Sequence, residues 1–184
     1  MKFEATPLQG AFVVKQERKC DDRGWFARTY CEKEFESAGL NTQWLQFNDS
    51  FNSNPGTLRG LHFQYAPYGE IKLVKCSAGA IFDVIVDLRF GSSTYLKWFG
   101  VELSISNGVM LYIPRGFAHG FQTLMSDTVV SYAQSAIYAA GYEGGLMYND
   151  PEIAIRWPRL VTQISERDTK HSFLNADFTG LNIE

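Results

Sequence analysis

The chain has 184 residues, of which 45% are hydrophobic and 15% aromatic, and its formal net charge is −3. This length and composition predict one globular domain over residues 1–184 and exclude a disordered chain. The small negative charge, with no basic block, gives no support to nucleic-acid binding. No apolar run is long enough to span a bilayer, and residues 1–7 lack the apolar core of a signal peptide. We therefore expect no membrane partner.

The cysteines indicate the redox compartment. Cys20, Cys31 and Cys76 are odd in number and have no CxxC spacing. They favour free thiols over a disulfide framework or a zinc site. Free thiols are typical of a reducing compartment, so we expect a cytoplasmic protein.

The first fifty residues predict short strands, turns and one helix. The expected elements are a strand over residues 8–14, a polar turn at 21–24, a helix over 31–40 and a strand over 44–48. The helix is predicted from the spacing of Phe35 and Ala38 and from Gly39 near its end.

Residues 56–64 predict a strand in which one histidine and one arginine lie among apolar residues. Strict alternation would put His62 and Gln64 on one face and Arg59 on the other. A lone histidine in such a strand is most often a core residue with hydrogen-bonded ring nitrogens. Because Lys72 and His119 lie on later strand-like segments, we interpret His62 instead as a general base inside a barrel.

The chain from residue 71 to 138 predicts a continuous series of short strands. They are expected over residues 71–76, 80–89, 101–105, 110–113, 117–124 and 128–138. Short strands at this spacing are typical of an antiparallel sandwich or barrel. The tail from residue 149 is expected to be rich in loops, with a helical turn at 165–168 capped by Ser165.

A metal centre is the first chemical hypothesis to weigh. A barrel metal site needs three or four histidine or carboxylate ligands at one point. Gln64 stands where a second histidine would be expected after His62, and His171 lies in the polar tail. We therefore predict no catalytic metal. The glycine-rich motifs that bind dinucleotides and phosphates are also missing, so we predict no cofactor.

The remaining polar candidates suit proton transfer at a carbon next to a carbonyl. They are His62, Lys72, Asp83, His119, Tyr132, Tyr138, Glu143 and Asp168. Such chemistry needs a base for the α-proton, a cation for the enolate and an acid that returns the proton. Each residue taken alone also has a structural explanation. Lys72 could be a surface residue at a strand end that Asp83 merely pairs with, and the tyrosines could be packing residues with satisfied hydroxyls.

Blocks of sequence along nearly the whole chain carry a resemblance to a known family. They lie at residues 23–26, 59–64, 72–74, 83–89, 113–121, 149–151, 155–158 and 165–168. In this order they resemble the signature blocks of the dTDP-4-dehydrorhamnose 3,5-epimerase family. The resemblance implies an all-β fold, a cupin-type jelly-roll β-barrel with a few short helices, in a metal-free homodimer. It also implies a nucleotide-diphospho-4-keto-6-deoxyhexose substrate that is inverted at C3 and C5.

The resemblance also implies roles for individual residues. His62 would be the base, held by Asp168, and Lys72 would stabilise the enolate at the C4 oxygen. Tyr132 would donate the returning proton, and Tyr138 would line the same pocket. The implied substrate-binding residues are Arg23, Phe26, Gln46, Asn48, Arg59, His119, Glu143 and Arg167. Arginine suits a diphosphate because its planar fork donates two parallel hydrogen bonds.

The chain departs from the family pattern near the implied nucleotide site. Arg28 stands where glutamate is usual, residues 46–49 read Gln-Phe-Asn-Asp in place of Gln-Asp-Asn-His, and Arg167 stands where lysine is common. A C5-only or C3-only epimerase acting on a CDP- or GDP-linked keto-sugar therefore stays open. So do a ketoisomerase and a non-catalytic sugar-binding jelly roll, because this fold is widely reused.

Overall fold

The computed structural model describes residues 1–175 and 177–183, and most of its regular structure is β-strand. The helices are α1 (Glu32–Ser37) and a 3-10 turn (Asp168–Lys170). The strands are β1 (Lys2–Ala5), β2 (Phe12–Lys15), β3 (Lys19–Asp21), β4 (Gly24–Phe26), β5 (Gln46–Asn52), β6 (Thr57–Gln64), β7 (Lys72–Ala78), β8 (Ala80–Asp87), β9 (Trp98–Ser104), β10 (Val109–Ile113), β11 (Phe117–Thr123), β12 (Thr128–Gln134), β13 (Glu143–Gly145) and β14 (Gln163–Ile164). The all-β prediction is confirmed.

The strands form two sheets and one separate hairpin. The first sheet has the order β1-β2-β10-β7-β12-β5, and the second has the order β13-β6-β11-β8-β9. Strand β14 joins the second sheet parallel to β6, whereas the other pairings are antiparallel. Strands β3 and β4 form the hairpin. No helix in the described part of the chain has the length and hydropathy to cross a membrane.

Three apolar clusters hold these layers together. The cluster between the sheets includes Val74, Ile81, Ile85, Leu103 and Leu111. A second cluster covers the outer face of the second sheet, where Val84, Val86 and Leu88 meet Ile153 and Leu181 of the tail. The third covers the first sheet, where Phe35 of α1 packs on Val14, Met110 and Tyr112. Both faces of β8 are therefore buried, which agrees with the apolar residues that it carries on each face.

Most predicted elements are found, and the differences have local causes. The strand predicted over residues 8–14 is wrong in its first half, because Leu8 and Ala11 enter the core from a turn. The observed helix α1 is shorter than the helix predicted over residues 31–40, although Phe35 is fully buried as its spacing requires. Strand β12 ends at Gln134, so Tyr138 lies on a loop. Ser165 does accept a hydrogen bond from the backbone N–H of Asp168, at 3.1 Å.

The pairing of β6 with β11 changes register at its centre. His119 lies opposite His62, whereas Phe121, two residues further on, lies opposite Arg59, three residues back. Two residues of β6, at positions 60 and 61, therefore oppose Gly120 alone. This is the arrangement of a β-bulge, which bends a strand and re-aims its side chains.

Glycine at position 60 makes the bulge feasible. Gly60 has φ +100°, and a Cβ there would lie 2.6 Å from the carbonyl oxygen of His119. The extra residue shifts the alternation, so that Arg59 and His62 line one cavity while Leu61 is buried in the outer cluster. The prediction that Arg59 faces away from His62 is therefore wrong.

Candidate active site

A cavity of about 270 Å³ lies between the two sheets and collects most of the predicted site residues. Strands β5, β7 and β12 form one wall, and β6 and β11 form the other. The predicted residues that line it are Gln46, Asn48, Arg59, His62, Lys72, His119, Tyr132, Tyr138, Glu143 and Arg167. The two sheets thus bring together side chains from widely separated parts of the sequence.

A histidine–aspartate pair lies at the wall formed by β6. Nε2 of His62 lies 2.6 Å from Oδ1 of Asp168, and Asp168 is only 2% exposed. The other carboxylate oxygen accepts the backbone N–H of Gly60 at 3.1 Å. The bulge of β6 and the 3-10 turn of the tail therefore hold the pair together.

The electrostatics of this pair determine which nitrogen of His62 is free. Burial alone would raise the pKa of the Asp168 carboxyl, but the hydrogen bonds and charge of His62 and the Gly60 N–H hold it below its usual range. Asp168 is therefore ionised at neutral pH and accepts the Nε2 proton. Nδ1 of His62 keeps its lone pair, which is the requirement for a general base.

A second histidine, which sequence reasoning left in the polar tail, lies beside this pair. The ring centroids of His62 and His171 are 5.8 Å apart. Nε2 of His171 lies 3.6 Å from Oδ1 of Asp168, which is too long for a hydrogen bond. Burial, and then the electrostatic effect of His62, lower the pKa of His171. No spacing in the sequence predicts this neighbour, because the tail must first fold back onto β6.

A second pair, formed by His119 and Asp83, lies next to the cavity. The two side chains are 2.8 Å apart, and Asp83 is fully buried. The suggestion that Asp83 pairs with Lys72 is therefore wrong. Nζ of Lys72 lies instead 2.8 Å from Oε1 of Glu70, and both side chains are almost fully buried. Glu70 was missed as a site residue, although it precedes Lys72 by only two positions.

The two candidate acids differ in their surroundings. Burial raises the pKa of Tyr132 above its usual range, although the charge of Arg59 opposes the shift. Tyr138 is 53% exposed, and its hydrogen bond with Glu143 raises its pKa. Both phenols are therefore protonated at neutral pH.

A chain of side-chain amides extends from β5 to β12. Nε2 of Gln46 donates to Oδ1 of Asn48 at 3.1 Å, and Nδ2 of Asn48 donates to Oε1 of Gln134 at 2.9 Å. The backbone N–H of Tyr138 donates to Gln46 at 3.2 Å. Alternation along β5 turns Phe47 outward, where it is 74% exposed. These amides present ordered donors and acceptors to a ligand, and Gln134 was missed in the sequence.

Two arginines line the cavity and are held by protein partners. Nε of Arg59 donates to Asn52 at 2.7 Å, and Nη2 of Arg167 lies 3.2 Å from Glu143. Within the described residues, Nη1 of Arg59 has no hydrogen bond, so one edge of its guanidinium is available to an anion. Oriented guanidinium groups of this kind suit phosphate oxygens.

Arg23 and Phe26 are not brought to the cavity within one chain. Both lie at the β3–β4 hairpin, where Arg23 pairs with Asp21 at 2.6 Å and Phe26 is 71% exposed. Arg28 is also away from the cavity lining and pairs with Glu34 at 2.7 Å. The substrate-binding roles of Arg23 and Phe26 stay predictions.

Solved structures share this fold over almost the whole chain. An epimerase structure from Elizabethkingia anophelis has a TM-score of 0.92 and 39% identity, and covers 97% of this chain and 98% of that one. One from Legionella pneumophila, in complex with dTDP-4-keto-L-rhamnose, has a TM-score of 0.89 and 36% identity, with coverages of 96% and 94%. Fold and cavity together define a cupin jelly-roll enzyme equipped for acid–base chemistry. The predicted jelly roll is confirmed.

The particular family follows from the sequence comparisons. The family model of dTDP-4-dehydrorhamnose 3,5-epimerase matches residues 5–176. A protein of that name from Sinorhizobium fredii is 43% identical over 175 residues, which are 95% of this chain and 90% of that protein. The chain belongs to the dTDP-4-dehydrorhamnose 3,5-epimerase family. The predicted family and the prediction of an isomerase that acts as a deoxysugar-nucleotide epimerase are confirmed.

Proposed function

We propose that this protein inverts C3 and C5 of dTDP-4-dehydro-6-deoxy-D-glucose to give dTDP-4-dehydro-L-rhamnose. The observation that carries the proposal is the contact of His62 with Asp168 on a cavity that also holds Lys72 and Tyr132. Family membership supports the sugar and the dTDP carrier. The protons on C3 and C5 are both adjacent to the C4 carbonyl, so one set of groups serves both centres.

His62 removes the proton in the first half of each inversion. Its Nδ1 takes the α-proton, and the negative charge of Asp168 stabilises the imidazolium that forms. The electron pair of the broken C–H bond moves onto the C4 oxygen to give an enolate. The ammonium group of Lys72 stabilises that oxygen, and Glu70 offsets the cost of burying the ammonium.

Tyr132 returns a proton in the second half. An inversion requires that the new proton arrive on the face opposite to the one that lost it. His62 belongs to β6 in the second sheet and Tyr132 to β12 in the first, so the two groups act from opposite walls. The phenol donates its proton to the enolate carbon and is reprotonated by solvent, while the His62 imidazolium releases the abstracted proton to solvent and becomes a base again. Tyr138 lies at the more exposed rim of the same cavity.

The remaining lining residues bind the substrate. Arg59 and Arg167 hold the diphosphate, and the amide chain of Gln46 and Asn48 contacts the nucleotide side of the ligand. His119, oriented by Asp83, contacts the sugar. A metal ion has no part in this proposal, because each proton and charge has an assigned protein group.

The proposal includes a homodimer in the cytoplasm. Strand β5 is an edge strand, and its outward side chains Phe47 and Phe51 are 74% and 58% exposed. Burying these apolar side chains against a second copy would stabilise a dimer. The free thiols of all three cysteines suit a reducing compartment.

The test is incubation with dTDP-, CDP- and GDP-linked 4-keto-6-deoxyhexoses in deuterated buffer, followed by NMR. We expect deuterium at both C3 and C5 and the inverted product, with the dTDP sugar as substrate. Exchange at one carbon alone would indicate a one-centre epimerase, and a carbonyl moved to C3 would indicate a ketoisomerase. Binding without any exchange would indicate a sugar-binding module and contradict the proposal.

A further inference from the structure

Three side chains that can bind a metal ion meet at the edge of the catalytic cavity. His62, Asp168 and His171 each offer one ligand atom, and these three atoms all lie within 4.8 Å of one another. We propose that these three residues form a Zn²⁺ site, and that zinc bound there inhibits the enzyme. The zinc site itself is independent of the reaction, whereas the inhibition rests on the proposed function.

The geometry suits a zinc ion with three protein ligands. Zinc binds histidine nitrogen and carboxylate oxygen at about 2.0–2.2 Å in tetrahedral geometry, which separates its ligand atoms by roughly 3.4 Å. The distance from His62 to Asp168 is 2.6 Å, and that from His171 to Asp168 is 3.6 Å. Both distances differ by less than about 1 Å from the separation that tetrahedral zinc requires. The fourth position would hold water, as in zinc sites with two histidines and one carboxylate.

His171 has the properties of an available ligand. Its Nε2 is buried and has no hydrogen-bond partner within the described residues, although buried polar atoms are normally paired. Its ring occupies the space over Gly145, where a Cβ would lie 2.2 Å from the imidazole. The ring is thus held facing the carboxylate of Asp168 with one nitrogen unused.

Zinc at this point would remove the catalytic base. The metal takes the lone pair of Nε2 in His62, so the single proton of the neutral ring moves from Nε2 to Nδ1. Nδ1 is the nitrogen that accepts the substrate proton, and it can no longer do so. Asp168 would ligate the ion at the same time and cease to orient His62. The metal is therefore an inhibitor, not a cofactor, of the proposed reaction.

The binding test uses ZnCl₂ and isothermal titration calorimetry on the full chain. We expect one high-affinity ion per chain, and affinity at least about tenfold weaker in His171→Gln, since even the loss of a supporting residue costs that much. His119→Gln is the matched control, because His119 pairs with Asp83 outside the cluster, and it should keep the affinity. MgCl₂ should not bind there, because magnesium prefers oxygen ligands.

NMR of the wild-type protein supplies a second measurement of zinc binding. Zinc should shift the ring signals of His62 and His171 and leave those of His119 in place. Absence of a stoichiometric site would overturn the proposal. So would equal affinity in wild type and His171→Gln, which would assign the ion to another place such as the exposed Cys20. These outcomes hold whether or not the protein turns over any sugar.

The activity test then addresses inhibition. Zinc should abolish exchange of the substrate α-protons at the concentration that fills the site, and a chelator should restore it. His171→Gln should need at least about tenfold more zinc for the same fractional loss. An increase of turnover on zinc addition would overturn the inhibitory role, and it would also contradict the metal-free mechanism.

Discussion

Arg59 and His62 are three residues apart on one strand, yet their side chains line the same cavity. Regular alternation would direct them to opposite faces of the sheet. The bulge opposite Gly120 inserts one extra residue between them and cancels that alternation. In the proposed mechanism, one strand thus supplies both a cation for the diphosphate and the base for the sugar.

Replacing Gly60 tests the importance of this bulge. Gly60→Ala puts a Cβ 2.6 Å from the carbonyl of His119 at φ +100°, so both the backbone and the pairing must shift. We expect loss of more than about 1 kcal/mol in the free energy of unfolding together with a large loss of turnover. Gly91→Ala is the control, since it also has a positive φ but no neighbour within 4 Å. Equal stability of the two variants in urea titrations would contradict the role assigned to the bulge.

The histidine–aspartate pair has its own prediction. His62→Ala should lower the rate of α-proton exchange by about a hundred- to ten-thousand-fold, because it removes a positioned base. Asp168→Asn should also lower the rate, since it disturbs the orientation and charge of the imidazole. The measurement is deuterium incorporation at C3 and C5. Full exchange by His62→Ala at both carbons would show that another group is the base.

Asp87→Asn is a matched control for Asp168→Asn and carries a prediction on pH. Burial alone would raise the pKa of Asp87, but hydrogen bonds from Arg89, Ser92 and Thr94 hold it below its usual range. Such a carboxylate stabilises the fold above its unfolded pKa of about 3.9, and that contribution is lost as pH falls through the folded pKa. The free energy of unfolding of the wild-type protein should therefore decrease as the pH is lowered below about 4.

In Asp87→Asn this acid loss should be smaller, and the neutral-pH stability should be lower, while exchange of substrate protons continues. Denaturant titrations between pH 2 and 7, paired with the exchange assay, measure both properties. Unchanged acid sensitivity would show that Asp87 is not a source of this stability. A collapse of exchange in a folded Asp87→Asn variant would contradict its purely structural role.

Tyr132→Phe separates removal of the proton from its return. The ring and its packing remain, and only the hydroxyl is lost. We expect His62 still to exchange α-protons with solvent while inverted product falls sharply. Deuterium content and product stereochemistry should be measured on the same sample. Normal inversion by Tyr132→Phe combined with failure of Tyr138→Phe would transfer the acid role to Tyr138, and normal inversion by both would exclude a tyrosine acid.

Removal of metal is expected to leave the reaction intact. Each step of the proposed mechanism has a protein group, so exhaustive chelation should not lower turnover. If preparations carry zinc at His62, chelation should instead raise turnover. Activity that is lost on chelation and restored by one divalent ion would contradict both the mechanism and the inhibitory zinc site.

The sequence predicted the positions of the strands better than it predicted the turns beside them and the way in which the strands pair. The alternation of Val84 and Ile85 defines two apolar faces, and both are buried. The pattern does not reveal that Leu8 reaches the core from a turn, because burial of one apolar residue is compatible with either conformation. Nor does it reveal a bulge, since the consequence of Gly60 depends on the partner strand.

Site residues that belong to a sequence motif were predictable. Site residues that only the packing of the folded chain brings to the cavity were not. His62, Lys72 and Tyr132 were assigned from family motifs and do line one cavity. Glu70 and His171 were missed, because their roles depend on how loop and tail fold back toward these residues. Arg23 and Phe26 match the motif but lie outside the cavity of a single chain, so their contribution is not determined by motif alone.

The contact of His62 with Asp168 joins residues 106 positions apart. Strand β14 brings the tail to β6 just before Asp168, so the pair exists only when that segment has docked. Long-range closures of this kind carry a large loss of chain entropy and depend on contacts formed elsewhere first. Turnover during refolding would therefore report the arrival of the tail, and spectroscopic signals from the sheets would report the barrel. Comparing the two time courses would reveal whether the barrel folds before the active site becomes functional.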